Sequence, residues 1–327
     1  MSKGTGRSSL LSLALLLAAC AASTALPTAR PTSRPASEAD VRRLLSALAD
    51  DSMAGRTTGS PGAARAARYI AEGLAAAGVT PAGDSAYFQR VPTRYGPAVN
   101  VVGVIRGAEG PASDSAVIVA AHYDHLGAGR PVAGDSIYNG ADDDASGVVA
   151  VLEIARALAH ERVGRTVVVL LTTGEEQGLL GTGRYLEAPA VPLTRTVAQL
   201  EIEMIGRPDS LAGGAGHAWL TGYERSTLGD MLKASGSPIV PDPRPGENFF
   251  ERSDNIAFAR RGIPAHTLSS FNLHTDYHRP SDDVSHVDFA HMTAVVHAAI
   301  AAARALVDGP APEWKPGGRP GAGAGGP

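Results

Sequence analysis

Five short runs of β-branched and aliphatic residues punctuate the middle of the chain: 98–106 (AVNVVGVIR), 116–121 (AVIVAA), 166–171 (TVVVLL), 197–202 (VAQLEI) and 265–268 (AHTL). Several are apolar at successive rather than alternate positions, which predicts strands covered on both faces, in the middle of a sheet. Between them the period changes to that of a helix. Residues 145–160 place Val148, Val151, Leu152, Ala155 and Ala159 on one stripe, and 287–306 do the same with Ala294, Val295, Ala298, Ala302 and Leu306. Such helices would cover the sheet. The expected fold class is α/β, a three-layer α/β/α sandwich with a mixed, mostly parallel central sheet, and in such sheets ligands bind just beyond the carboxyl ends of the strands.

The ends of the chain follow other patterns. Lys3 and Arg7 precede 10–19 (LLSLALLLAA), a run of the length of a signal h-region and too short to span a bilayer. It closes in Leu17-Ala18-Ala19-Cys20, which resembles the lipobox of bacterial lipoproteins, whose cysteine is lipidated and becomes the new N-terminus. An ordinary secretory signal cut near Ala25 is the alternative, and either makes the protein exported. The expected organisation is a lipoprotein-type signal peptide over 1–19 and a Pro/Ser/Thr-rich tether over 20–36. A folded body then runs over 37–308, followed by a disordered Gly/Pro-rich tail over 309–327. The localisation expected is the bacterial cell envelope, with the membrane touched only through a lipid on Cys20.

With 327 residues, 44% of them apolar, the chain can bury one sizeable core or two small ones, and no repeat is present. The formal net charge of −4, with Lys and Arg scattered, removes nucleic acid as an expected partner. A single cysteine excludes an internal disulfide or a thiolate zinc cluster, so any metal must use histidines and carboxylates.

Those residue types gather at the predicted strand ends. His122 and Asp124 stand in AAHYDHLG directly after one buried run, and a His-x-Asp pair lets a carboxylate orient a metal-bound imidazole. Three aspartates, Asp142 to Asp144, precede the helix at Ala145. An N-cap cluster explains one or two of them, but three adjacent carboxylates repel unless a cation neutralises them. Glu175 and Glu176 follow the run 166–171 between Gly174 and Gly178, which let the backbone leave regular structure. Glu203 lies one residue beyond another buried run, where an acid is costly unless bound to metal or paired, with Arg207 as the available partner. HTDYHRPSDD then supplies His274, Asp276, His278, Asp282 and Asp283, more than one site needs. His160, His286, His291 and His297 fall on predicted helices or their ends and are expected on solvated faces.

In this order the motifs resemble those of the zinc-dependent peptidase family that contains bacterial leucyl aminopeptidases, glutamate carboxypeptidase and, more distantly, glutaminyl cyclases. The likeness runs from about Leu45 to Leu306 and includes MAGRTTGSPG and RSDNIAFARRGIPA. It implies two zinc ions, one held by His122, Asp143 and Glu203 and the other by Asp143, Glu176 and His278, with Asp143 bridging. It also implies a metal-bridging hydroxide, Glu175 as general base, Asp124 as support for the first histidine, and a frequently cis peptide after the bridging aspartate. Arg207, Ser253 and Asp254 are the candidates for substrate contact. Two departures stand out. Glutamate occupies position 203, where the family usually has aspartate, so a shifted metal or backbone is expected there. Between Gly107 and Ser115 there is no room for a protease-associated domain.

The implied activity is hydrolysis of a peptide substrate, most simply by an aminopeptidase. A carboxypeptidase or dipeptidase of the same family would need a cationic pocket, for which Arg207, Arg252 and Arg279 are available. A single-zinc glutaminyl cyclase fits ADDDASG less well, and a serine hydrolase is disfavoured because no G-x-S-x-G elbow occurs.

Overall fold

The computed structural model describes Met1 and residues 35–321. The expected signal peptide, Cys20 and all but the end of the tether lie outside the described residues. The body opens with α1 (Glu38–Leu48) and α2 (Pro61–Ala76), each started by a serine whose hydroxyl accepts a first-turn N–H, Ser37 from Asp40 and Ser60 from Ala63. There follow β1 (Thr80–Pro81), β2 (Phe88–Val91), β3 (Ala98–Ile105) and β4 (Ala116–His122), then the hairpin β5 (Gly127–Val132) with β6 (Asp135–Tyr138). Next come α3 (Gly147–Ala159), β7 (Thr166–Thr172), α4 (Leu180–Glu187), β8 (Thr196–Ile202) and β9 (Ala218–Leu220). The chain continues through α5 (Thr227–Ala234), β10 (Ile239–Pro241), α6 (Asn255–Arg260), β11 (Ala265–Ser269) and α7 (Phe289–Asp308).

Nine strands form one sheet in the order β1-β3-β7-β4-β8-β11-β9-β10, with β2 also on β3. The central pairs β7·β4, β4·β8 and β8·β11 are parallel, whereas β3 joins β7, and β9 joins β11, in antiparallel fashion. Alternation along β4 explains the three layers. Val117, Val119 and Ala121 enter the core shared with α3 and α7, while Ile118 and Ala120 enter the one lined by Tyr185, Ile256 and Phe258 of α4 and α6. Because both faces are dry, the central strands carry the unbroken apolar runs seen in the sequence. The expected α/β sandwich with a mixed, mostly parallel sheet is thus borne out. By length and composition α7 could cross a membrane, but 61% of its apolar window is buried inside the body. Here it is a core helix.

Two expectations are corrected. The segment after Gly309 was expected as an unpacked tail, yet as far as Gly321 it lies along the body. Trp314 Nε1 donates to Gly262 O at 2.9 Å, its ring sits beside those of Phe250 and His266, and Lys315 N donates to Arg225 O at 2.9 Å. One tryptophan supplies the apolar area that the Gly/Pro composition around it lacks. His291, expected on a solvated face, is buried: it accepts from Gly216 N at 2.9 Å and pairs with the Ser270 hydroxyl at 2.9 Å.

Candidate metal centre

Parallel pairing brings four strand ends to one edge. Register sets His122, the last residue of β4, opposite Thr172, the last of β7, and Leu268 of β11 opposite Ile202, the last of β8. Glu175 and Glu176 therefore leave the sheet beside His122, Glu203 leaves on its other side, and the loop after β11 returns His278. The carboxylate turn is held by Asn100 of β3, whose side chain donates to Gly181 O at 2.8 Å and accepts from Thr173 N at 3.2 Å. Gly174 in that turn has φ 77°, and a Cβ there would lie 2.9 Å from Leu180 Cβ, so only glycine fits.

The three aspartates divide three tasks. Asp142 accepts from Gly206 N at 2.6 Å and meets His274 Nε2 at 3.0 Å. Asp144 accepts from Gly147 N, at the start of α3, and from Met204 N, both at 3.0 Å, so the capping role belongs to it. Asp143 makes no such anchoring bond with its side chain and faces the histidines. The Asp143–Asp144 peptide is cis, as the resemblance implies. Asp282 holds this turn from outside by accepting from the backbone N–H groups of Asp142 and Asp143, each at 3.0 Å.

Around Asp143 lie two sets of donor atoms, each set within 4.8 Å of itself: His122, Asp143 and Glu203, and His125, Asp143, Glu176 and His278. Asp143 Oδ1 lies 3.4 Å from His122 Nε2, whereas Oδ2 lies 3.1 Å from His278 Nε2 and 3.7 Å from His125 Nδ1. Glu176 Oε1 is 3.3 Å from His278 Nε2. A carboxylate with one oxygen toward each set occupies the place of a bridging ligand.

The donors fit cations better than one another. His122 Nε2, His125 Nδ1 and Glu176 Oε1 are buried and make no hydrogen bond among the described residues, a costly state unless an ion completes them. His122 Nδ1 donates to Asp124 O at 3.1 Å, which leaves Nε2 with its lone pair toward Asp143. The charges agree. Against burial, which by itself would lower it, Asp143 and Glu176 raise His278 to about 10, and Asp143 and Glu175 raise His122 well above its ordinary value. Burial, opposed by His122, pushes Glu203 up to about 7. The carboxylates of the site thus favour positive charge beside them.

Glu175 is held by its backbone: its N–H donates to Asp124 Oδ1 at 3.2 Å. Burial first, then Glu203, Asp254 and Asp124, lift its carboxyl well above the ordinary range, with His122 opposing. Asp124 thus supports the site differently than expected. Its carboxylate is 3.9 Å from His122 Nδ1, and it is the backbone carbonyl that meets the imidazole, while the carboxylate ties Glu175 and the Thr58 hydroxyl (3.1 Å).

The backbone of Glu203 stays hydrogen bonded to β11, its N–H donating to Leu268 O at 3.0 Å, so the longer side chain reaches the site from an undisturbed strand. Arg207 does not partner it. The guanidinium pairs with Asp276 at 2.6 Å and lies 3.8 Å from Asp282, which removes Arg207 from the cations free to meet a substrate. Ser253 lines a pocket beside Glu203 together with Met204, Trp219, Phe249, Phe271 and Tyr277, with Arg252 also in its wall. Asp254 is buried behind β7, where it accepts from the Thr172 hydroxyl at 2.6 Å, and so it does not reach the pocket. Sequence reasoning missed His125. Its signal was the second histidine of AAHYDHLG, which stands beyond the strand end where no period assigns a direction.

A family model described as Peptidase family M28 matches residues 100–303. The chain belongs to peptidase family M28. Its match to a "Probable zinc metalloprotease" of Pyrenophora teres f. teres is 35% identical but covers 32% of the chain and 22% of that protein. An "Uncharacterized protein YfbL" of Escherichia coli is 27% identical over 72% of the chain and 78% of its own length. Among solved structures, a zinc aminopeptidase from Bacillus subtilis superposes with TM-score 0.64 at 14% identity, covering 84% of this chain and 96% of that one. A glutaminyl cyclase from Porphyromonas gingivalis does so with TM-score 0.62 at 17% identity, covering 82% and 97%. At these identities the structures share the fold. The family and the peptidase class expected from the motifs are borne out.

Proposed function

We propose that the chain is a zinc-dependent exopeptidase, an aminopeptidase, that holds two zinc ions: one on His122, Asp143 and Glu203, the other on Asp143, Glu176 and His278. The observation that carries this reading is the Asp143 carboxylate with one oxygen toward each donor set. Zinc bound there would supply Lewis acidity to polarise a scissile carbonyl and acidify the attacking water. Glu175, steadied through its N–H by Asp124, takes the proton from that water and delivers it to the leaving amine. Its buried, carboxylate-rich surroundings raise its basicity, and bound cations would oppose that rise.

The choice of terminus rests on charge. A free α-ammonium suits the acidic rim formed by Glu175 and Glu203, whereas a substrate carboxylate would need a free cation. Arg207 is committed to Asp276, the exposed Arg252 pairs with Glu247 at 3.7 Å and stacks on Phe249, and Arg279 lines a separate hollow with Asp135, Asp276 and Asp283 rather than the pocket beside Glu203. The aromatic pocket of Trp219, Phe249, Phe271 and Tyr277 suits an apolar first residue. Purified protein is therefore expected to hydrolyse leucyl and phenylalanyl anilides, to lose this activity to a chelator and to regain it with Zn2+. Hydrolysis of N-blocked peptides alone would overturn the aminopeptidase reading, and one zinc per chain together with cyclisation of N-terminal glutamine would replace it by the cyclase.

The same reading places the enzyme in the bacterial envelope, anchored through Cys20, because LLSLALLLAAC joins an h-region to a lipobox-like end. In a bacterial host, radiolabelled fatty acid should enter the wild type and not Cys20→Ser. Equal labelling of both would exclude this anchor.

A further inference from the structure

We infer that His125 is a fourth protein ligand of the site formed by Asp143, Glu176 and His278, so that the two metal sites of this chain are unequal. The inference rests on the two-zinc reading above and goes beyond the family pattern, which gives that site three protein ligands.

A tetrahedral zinc with bonds of about 2.0–2.1 Å has ligand-to-ligand edges of roughly 3.3 Å. Four edges of the second set can be compared: His125 Nδ1 to Glu176 Oε1 at 2.9 Å, Asp143 Oδ2 to His278 Nε2 at 3.1 Å, Glu176 Oε1 to His278 Nε2 at 3.3 Å, and His125 Nδ1 to Asp143 Oδ2 at 3.7 Å. They bracket the tetrahedral value. Four donors are therefore already spaced around one point, whereas three surround the other.

His125 has no competing employment. The ring is fully buried, and Nδ1 and Glu176 Oε1, though 2.9 Å apart, lack the alignment of a hydrogen bond, as expected when both lone pairs are directed at a shared third point. Nε2 also has no partner among the described residues, so packing sets the orientation of the ring. A Cβ on Gly140 would lie 2.6 Å from His125 Cγ, and the φ of 56° at Gly140 is one that glycine adopts freely. A buried imidazole whose ring nitrogens are both unpaired is costly, and a bound cation at Nδ1 removes the larger part of that cost.

Two imidazoles and two carboxylates make the second site richer in nitrogen than the first, which has one imidazole and two carboxylates, and imidazole favours zinc over the hard oxygen-seeking cations. The second site should fill first, leaving the His122 site as the weaker and more exchangeable one.

The metal-free protein titrated with Zn2+ alone in a calorimeter should show two resolved steps. His125→Phe, which keeps a ring and loses the ligand nitrogens, should weaken the tighter step at least tenfold and leave the weaker one unchanged, and His122→Phe should do the reverse. X-ray absorption on the wild type loaded with one equivalent of zinc should count two imidazoles on the metal, a readout that needs no variant to fold. One imidazole at that loading, or an unaltered tight step in a folded His125→Phe, would overturn the inference while leaving the two-zinc reading intact. Failure of the wild type to take up a second zinc would overturn the two-zinc reading itself.

Discussion

Glu175→Gln leaves two zinc ions bound and lowers kcat on an aminoacyl anilide by about 10²–10⁴, the usual contribution of a positioned general base. The substitution changes little else. Glutamine is isosteric with glutamate, and the contact that places residue 175 is made by its backbone N–H to Asp124 Oδ1 at 3.2 Å, which the exchange does not touch. What is lost is the capacity to accept a proton from water and return it to the amine. Steady-state kinetics paired with metal analysis separates this from a structural effect: low kcat with two zinc ions supports the assignment, and a folded variant of undiminished kcat excludes Glu175 from proton transfer. Low kcat with less zinc would make residue 175 part of the metal shell.

The second large effect is on stability. Arg56→Met should cost about 3–5 kcal/mol, because four buried carbonyls lose a charged donor and an unsatisfied buried acceptor costs roughly 1–3 kcal/mol before the chain relaxes. Arg56 is fully buried and donates to four carbonyls: Nε to Tyr123 O at 2.8 Å, one terminal nitrogen to Leu48 O at 2.9 Å and Asn139 O at 2.6 Å, the other to Gly140 O at 2.8 Å. Those carbonyls come from α1, from the residue just past His122 and from the turn before the aspartates. One planar group thus clamps the two segments that carry His122 and Asp143. Its positive charge also faces Asp143, Asp282, Asp144 and Asp124, which favour the charged form against the cost of burying it. Methionine fills much of the volume and leaves the carbonyls unpaired. Lysine, with three donors at one point, cannot reproduce the fork, so Arg56→Lys should be destabilised as well. Denaturant melts of the metal-free protein measure the effect, and a loss below about 1 kcal/mol for Arg56→Met would show that water replaces the clamp.

Most of the site was legible because its parts sit immediately after the apolar runs. His122, the Glu175–Glu176 pair and Glu203 could be placed at strand ends from period, and the three aspartates beside a cation by their mutual repulsion, whereas the choice of Glu176 and Asp143 as ligands came from the resemblance. The errors share one character. Asp124 meets His122 through its carbonyl rather than its carboxylate, Arg207 is taken by Asp276, Asp254 is buried behind β7, and Trp314 anchors what composition marks as a tail. In each case the partner is remote in sequence or is a backbone atom, and residue type carries no record of either.

The peptidase class was implied by the resemblance of the motifs, whereas the order of apolar runs, glycines and acids by itself determined the layered α/β fold and the edge of the sheet where chemistry gathers. These follow from local period and from the cost of burying charge, which act residue by residue. Only the tertiary structure decided which oxygen of Asp143 faces which histidine, that Arg56 clamps the strand end to the aspartate turn, and that His125 stands among the donors of the second set. Those facts depend on the directions in which loops return to the sheet, and loop direction is set by long-range packing and hydrogen bonding rather than by any period in the chain.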